Sequence, residues 1–323
     1  MSKKKILPLA ILAGVVAVLA VILAILAILN REEEDTGIPL FSVAAEDVTA
    51  ISYQEGDTDV SLTKGEDGSW TLDSDPLLPI DDQAVGEVLT GVTGMTAMRQ
   101  LSDGEGDVDS MGLDSPTRTI SFTAGDTDYT ITVGAENSMA EAYYAQVGDS
   151  LYTVSTSTFV GLCKTPRQLY EAQDITDIES TEVASMTVDT GTETLDFRLD
   201  SDGNWTLADD PDYDPDQDAV SRMANTICSL TTEWSITSPG ADSKYGLDSP
   251  NAVVTLTATD GRSVRCVFGS TASDDSDTAY LRASNDESVV YEIAANHLSN
   301  FACTKESLKA ATPETATGEE ADS

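Results

Sequence analysis

The chain has 323 residues, with 57 acidic against 17 basic side chains and a formal net charge of −40. A surface that acidic repels phosphate backbones, which argues against nucleic-acid binding, and favours cations, basic proteins or simple solubility. Apolar residues make up 40%, enough to pack ordinary cores and too many for a wholly disordered chain.

Ile6 to Leu29 is a run of 24 residues without a charge. As a helix it is about 36 Å long, enough to cross a ~30 Å hydrocarbon core. Lys3, Lys4 and Lys5 precede it, and Glu32, Glu33, Glu34 and Asp35 follow it. The positive-inside rule then places the N-terminus in the cytoplasm and the rest of the chain outside. A cleaved secretory signal has an apolar region of about 7–15 residues that ends in a small-x-small site. The end of this run, Ala24-Ile25-Leu26-Ala27-Ile28-Leu29, offers none, and no cysteine stands near it for lipid attachment. The expectation is an uncleaved, single-pass anchor in the cell membrane.

Beyond the anchor the chain matches itself at a shift of 135 residues. Val48 falls on Val183, Asp67-Gly68 on Asp202-Gly203, Trp70-Thr71-Leu72 on Trp205-Thr206-Leu207, Asp75-Pro76 on Asp210-Pro211, and Asp81 on Asp216. After a slip of one residue, Gly112-Leu113-Asp114-Ser115-Pro116 recurs as Gly246-Leu247-Asp248-Ser249-Pro250, and Gly134 then falls on Gly269. An identical pentapeptide within a collinear series marks an internal duplication.

Each copy opens with two short alternating stretches. An Asp-Gly turn then leads into the Trp-Thr-Leu strand, a strong hairpin signal. A helix follows. In the second copy Asp214 is placed to cap it, with Pro215 and Gln217 behind, and Val220, Met223, Ile227 and Leu230 share one face. The matching face in the first copy is Val85, Val88, Val92 and Met95. Past the Gly-Leu-Asp-Ser-Pro turn come paired strands of period two, then a tyrosine-bearing strand pair, and a short closing helix near 158–170 and 295–308. Mixed strands and helices without βαβ alternation predict an α+β fold. The expected class is an N-terminal transmembrane helix followed by two tandem repeats of a largely antiparallel sheet-plus-helix module. The expected boundaries are 1–30 for the cytoplasmic tip and anchor, 31–46 for a linker, 47–174 and 175–309 for the repeats, and 310–323 for a disordered acidic tail.

The motif residues Trp70, Asp81, Gly112, Leu113, Asp114, Pro116 and Gly134, with Tyr144, recur as Trp205, Asp216, Gly246, Leu247, Asp248, Pro250 and Gly269, with Tyr245 and Tyr280. This order resembles the bacterial domain-of-unknown-function 4340 family over nearly the whole ectodomain. The resemblance transfers no catalytic residue. It implies an accessory role at the membrane, since some members are associated with ABC-type transport systems.

The residues themselves favour structure over chemistry. In the Gly-Leu-Asp-Ser-Pro turn, glycine permits a positive φ, leucine plugs the core, aspartate accepts backbone N–H bonds and proline starts an edge. Trp70 and Trp205 read as core residues. Asp103, Glu105, Asp107 and Asp109 alternate, as do Asp210, Asp212, Asp214, Asp216 and Asp218. An EF-hand loop needs glycine at its sixth position and glutamate at its twelfth. Those positions hold Val108 and Asp114 in one series and Pro215 and Ser221 in the other, so neither fits. With no Cys-x-x-Cys pair and a single histidine, His297, neither a zinc site nor a histidine-based triad is expected. Cys163, Cys228, Cys266 and Cys303 are read as buried thiols; if any pair forms a disulfide outside the membrane, it is Cys228 with Cys266. No catalytic, cofactor-binding or metal-binding residue is assigned and no cofactor is expected. The leading expectation is a non-enzymatic, membrane-tethered, extracytoplasmic interaction or scaffold module, accessory to an ABC-type transporter or an envelope assembly, with a membrane or envelope protein as partner and no nucleic acid. The alternatives are an ectodomain that binds a glycan or a divalent cation, and a carboxylate-dependent hydrolase.

Overall fold

A computed structural model describes residues 37–55, 57–102 and 109–310. The first copy contains β1 (Ile38–Pro39), β2 (Val48–Glu55), β3 (Thr58–Lys64), β4 (Trp70–Leu72), helix α1 (Asp82–Thr93), β5 (Thr96–Ala97), β6 (Arg99–Gln100), β7 (Arg118–Ala124), β8 (Thr127–Asn137), β9 (Ala142–Val147) and β10 (Ser150–Ser155). The second contains β11 (Val183–Asp189), β12 (Thr194–Leu199), β13 (Trp205–Leu207), helix α2 (Gln217–Cys228), β14 (Trp234–Ile236), β15 (Ala252–Ala258), β16 (Ser263–Thr271), β17 (Thr278–Ala283), β18 (Asp286–Ala294) and the one-turn helix α3 (Leu298–Phe301).

Two eight-stranded sheets result, with the orders β4-β3-β2-β7-β8-β9-β10-β6 and β13-β12-β11-β15-β16-β17-β18-β14. The strand pairs whose register is defined are antiparallel. Position for position the two orders are the same, so the duplication seen in the sequence is a duplication of topology. The small β1–β5 pair joins Ile38 to Ala97 and Pro39 to Thr96.

The expected α+β class needs correction: the chain is mainly β. Each copy supplies eight strands to its sheet and a single helix of 12 residues. The closing helices fail for local reasons. In the first copy Gly161, at φ 67°, and Pro166 break the apolar pattern into two short 3-10 turns, Thr156–Phe159 and Pro166–Gln168. In the second, only Leu298–Phe301 is helical. The N-terminal run Ile6–Leu29, the transmembrane part of that expectation, lies outside the described residues. Among the described residues no helix is long and apolar enough to cross a membrane. The tail 311–323 also lies outside them. Residues 37–46, expected as linker, carry β1 and bury Leu40 and Phe41. Phe41 packs edge-on against Phe122 at 5.0 Å.

By compactness the chain divides into two units. One draws on residues up to Val48 and on Leu89–Cys163, the other on Thr49–Val88 and on residues from Lys164 onward. An extensive core lies in the second unit. There α2 lays Val220, Met223, Ala224 and Ile227 on the sheet residues Met186, Phe197, Leu256, Cys266, Phe268 and Ile293, all at most 3% exposed. Phe301 of α3 stacks on Phe268 at 4.8 Å and closes the end of that core. A buried Phe or Ile contributes about 1.5–3 kcal/mol, so this layer is what holds α2 to the sheet.

Candidate functional site

The residues repeated between the copies build the fold. Trp70 and Trp205 are buried on end strands. The backbone N–H of Trp70 donates to Asp82 Oδ1 at 3.1 Å, and that of Trp205 to Gln217 Oε1 at 2.7 Å. Each tryptophan strand is thereby tied to the first turn of its helix. Asp81 and Asp216 are N-caps. Asp81 Oδ1 accepts from the backbone N–H groups of Gln83 and Ala84, and Asp216 Oδ1 from that of Ala219. In the second copy the cap is therefore Asp216, and the expected cap Asp214 lies two residues ahead of it. Their own N–H groups donate to Leu169 O and Leu308 O, so each closing segment is pinned to a helix start.

Gly112 and Gly246 sit at φ 67° and 69°, where a side chain is strained. A Cβ on Gly134 would lie 2.1 Å from Met111 O, and one on Gly269 2.1 Å from Tyr245 O. The turn backbone thus rests directly on β8 and β16. Leu113 and Leu247 are buried, while Asp114 and Asp248 are exposed, with Pro116 and Pro250 behind them at the start of the next strand.

The remaining sequence candidates scatter. Asp103, Glu105 and Asp107 lie outside the described residues. In the second acidic series, Asp210 accepts from Lys305 Nζ at 3.0 Å, Asp216 caps α2, and the backbone carbonyl of Asp214 receives the N–H of Ala310. The Lys305 hydrogen bond holds the Asp210 carboxyl below its ordinary range. Among the described residues no group of three His, Cys, Asp or Glu side chains is placed to hold a metal ion. His297 is half-buried where a 3-10 turn meets α3. Cys228 and Cys266 stand as separate thiols, so the proposed pair is not formed in this structure. Burial raises both; Cys266, sealed in the sheet, is pushed up to about 12. Cys228 opens on a shallow groove of about 580 Å³ lined by Asp174, Asp177, Glu179 and Asn225. Asp177 is already engaged by Arg262, whose guanidinium also bonds Glu182 and Asp260.

One constellation outside the repeat stands apart, and it lies entirely within the second unit. Trp234 is on β14, the last strand of its sheet, where it faces Glu292 across the ladder. The Arg167 guanidinium lies 5.0 Å from the Trp234 ring centre and pairs with Glu292. The Tyr170 ring is 5.3 Å from Trp234, and its hydroxyl hydrogen-bonds the buried Thr232 and Ser235 hydroxyls at 2.6 and 2.8 Å. Burial, then the neighbouring Glu292, push the phenol of Tyr280 up. Tyr170 is thus locked from behind, while Arg167 remains 59% exposed. The place in the first copy that matches Trp234 is Arg99 on β6, opposite Thr153, so the grouping, which joins the first copy's closing segment to β14 of the second, has no repeat. The sequence reading passed over Trp234. Its one available signal was being the only one of three tryptophans without a counterpart at the 135-residue shift.

Among known proteins, no curated protein and no solved structure matches the chain. A family model described as domain of unknown function (DUF4340) matches residues 70–213 and again 205–314. Both matches open on the tryptophan strand. On that match, which spans most of the chain, the protein belongs to the DUF4340 family and carries its domain in two copies.

Proposed function

We propose that the chain is a non-enzymatic interaction module, tethered to the cell membrane by the run Ile6–Leu29 and working outside the cytoplasm beside a transport or envelope assembly. The observation that carries this reading is the grouping of Arg167 and Tyr170 around Trp234 of the terminal strand β14. Tryptophan, tyrosine and arginine are the residues that dominate binding energy at protein interfaces. A strand at the end of a sheet is also the place where a partner strand can add. Here the aromatic pair is fixed by hydroxyl bonds from beneath, so a partner orders little on binding. The acidic surface adds long-range attraction for a basic partner face.

The test is a photo-crosslinking amino acid at the exposed position 233, beside Trp234, in the full chain, activated in intact cells. The reading expects a defined adduct with a membrane or envelope protein that Trp234→Ala reduces at least tenfold. Adducts only with abundant cytosolic proteins, or none above background, would count against it.

A further inference from the structure

Five large apolar side chains are exposed among the described residues: Ile38 (41%), Leu77 (76%), Met98 (56%), Met139 (98%) and Val160 (81%). Single exposures of this kind are ordinary. Four of the five, however, belong to the first unit, and the strand register puts all four at the same end of it. Met139 is in the turn between β8 and β9, which closes at the pair Asn137–Ala142. Ala142 faces Ser155, the last residue of β10, and Thr156 N–H donates to Glu141 O at 2.9 Å, so Val160 follows from the same end. Met98 precedes β6 and donates its N–H to Thr153 O near the finish of β10. Ile38 pairs with Ala97, the residue before Met98. The ends of β8, β9, β10 and β6, about 4.8 Å apart, make a row about 15 Å wide.

The same end receives the chain from the N-terminal run. Only residues 30–37 separate Leu29 from Ile38, a reach of at most about 30 Å when fully extended. Beside the apolar end Glu136, Glu141 and Asp114 stand with Arg99 and Arg118, and Glu32, Glu33, Glu34 and Asp35 lie in the segment that leads to it. The turns at the opposite end carry Asp126, Asp128 and Asp149, all exposed, and no basic residue. At the apolar tip Glu141 adopts φ 48°, unusual for a residue with a side chain, in the turn that holds Met139 outward.

We infer that this end of the first unit seats on the membrane, with Ile38, Met98, Met139 and Val160 entering the interfacial zone of an electrically neutral bilayer. The inference rests on the tethered reading above and adds to it which face meets lipid. Apolar side chains at the headgroup boundary gain burial without a spanning segment. A chain of net charge −40 favours neutral over anionic lipid. The acidic turns Asp126 and Asp149 then point away from the bilayer.

The full chain in phosphatidylcholine nanodiscs tests this, with Asp126→Met as an exposed reporter at the opposite end of the same unit. Peroxide oxidation is followed peptide by peptide by mass spectrometry, and association is read independently by flotation with phosphatidylcholine vesicles. The expected result is flotation, with Met98 and Met139 oxidised at least fivefold more slowly than Met at 126. Flotation with Met139 oxidised as fast as the reporter overturns the inference and leaves the tether standing. Failure to float overturns the tether and the inference together.

Discussion

Gly134 and Gly269 show how one backbone contact dictates a residue. A Cβ there would lie 2.1 Å from the carbonyl oxygen of Met111 or Tyr245, and backbone cannot swing aside as a side-chain tip can. Gly134→Ala and Gly269→Ala are each expected to cost about 2–4 kcal/mol, the range of substitutions that force backbone apart. Gly68→Ala, at φ 89° but with nothing within 4 Å of its Cβ, costs about 1 kcal/mol. Urea midpoints check this, and a Gly134→Ala protein as stable as the parent contradicts the account. That these glycines matter was legible in the sequence, because they repeat. The reason was not: the carbonyl that excludes a side chain belongs to a turn more than twenty residues away. The caps Asp81 and Asp216 were also legible as repeated acids, although the periodic pattern put the second cap at Asp214. Asp114 and Asp248, expected to accept backbone N–H bonds, are exposed. Repetition marked these positions without distinguishing a buried constraint from a solvated turn.

Among elements, strands with alternating burial were read correctly because period two survives on a sheet with one covered face. β7 and β15 show it across their buried residues, and β2 and β11 show it from Ile51 and Met186 onward, after an irregular start. β6 and β14 were missed because two or three residues carry no period. The closing helices were overread because apolar spacing alone does not reveal a Gly161 or Pro166 break. These errors share one direction, which is why the class came out α+β when the chain is mainly β. The best-defined link between elements is Gln217. Its Oε1 accepts the Trp205 N–H at 2.7 Å and its Nε2 donates to Trp205 O at 3.0 Å, as a neighbouring strand would. Gln217→Ala leaves both backbone groups of Trp205 without those partners and is expected to cost about 1–3 kcal/mol. Hydrogen exchange should show the Trp205 amide opening first, while the centre of the sheet at Leu256 stays protected. Unchanged protection at Trp205 would assign the tie elsewhere.

For the whole molecule, duplication was fully legible, and the structure and the family match agree on two copies. The division into compact units was not legible, because besides a cut between Cys163 and Lys164, near the end of the first copy, it cuts inside that copy between Val48 and Thr49 and between Val88 and Leu89. Residues shared by the copies serve packing, capping and turns. Neither grouping proposed for function recurs at the shift: Arg167–Trp234–Tyr170 joins the first copy's closing segment to β14 of the second, and the apolar end at Met98 and Met139 lies in the first copy. That asymmetry is why self-comparison located the fold and passed over the surface. Both proposals depend on the chain beyond residue 36 lying outside the cytoplasm. Asp126→Cys in the full chain, treated with a membrane-impermeant maleimide before and after lysis, tests this most directly. The account predicts that intact cells label position 126 as fully as lysed cells do; labelling that appears only after lysis would contradict it.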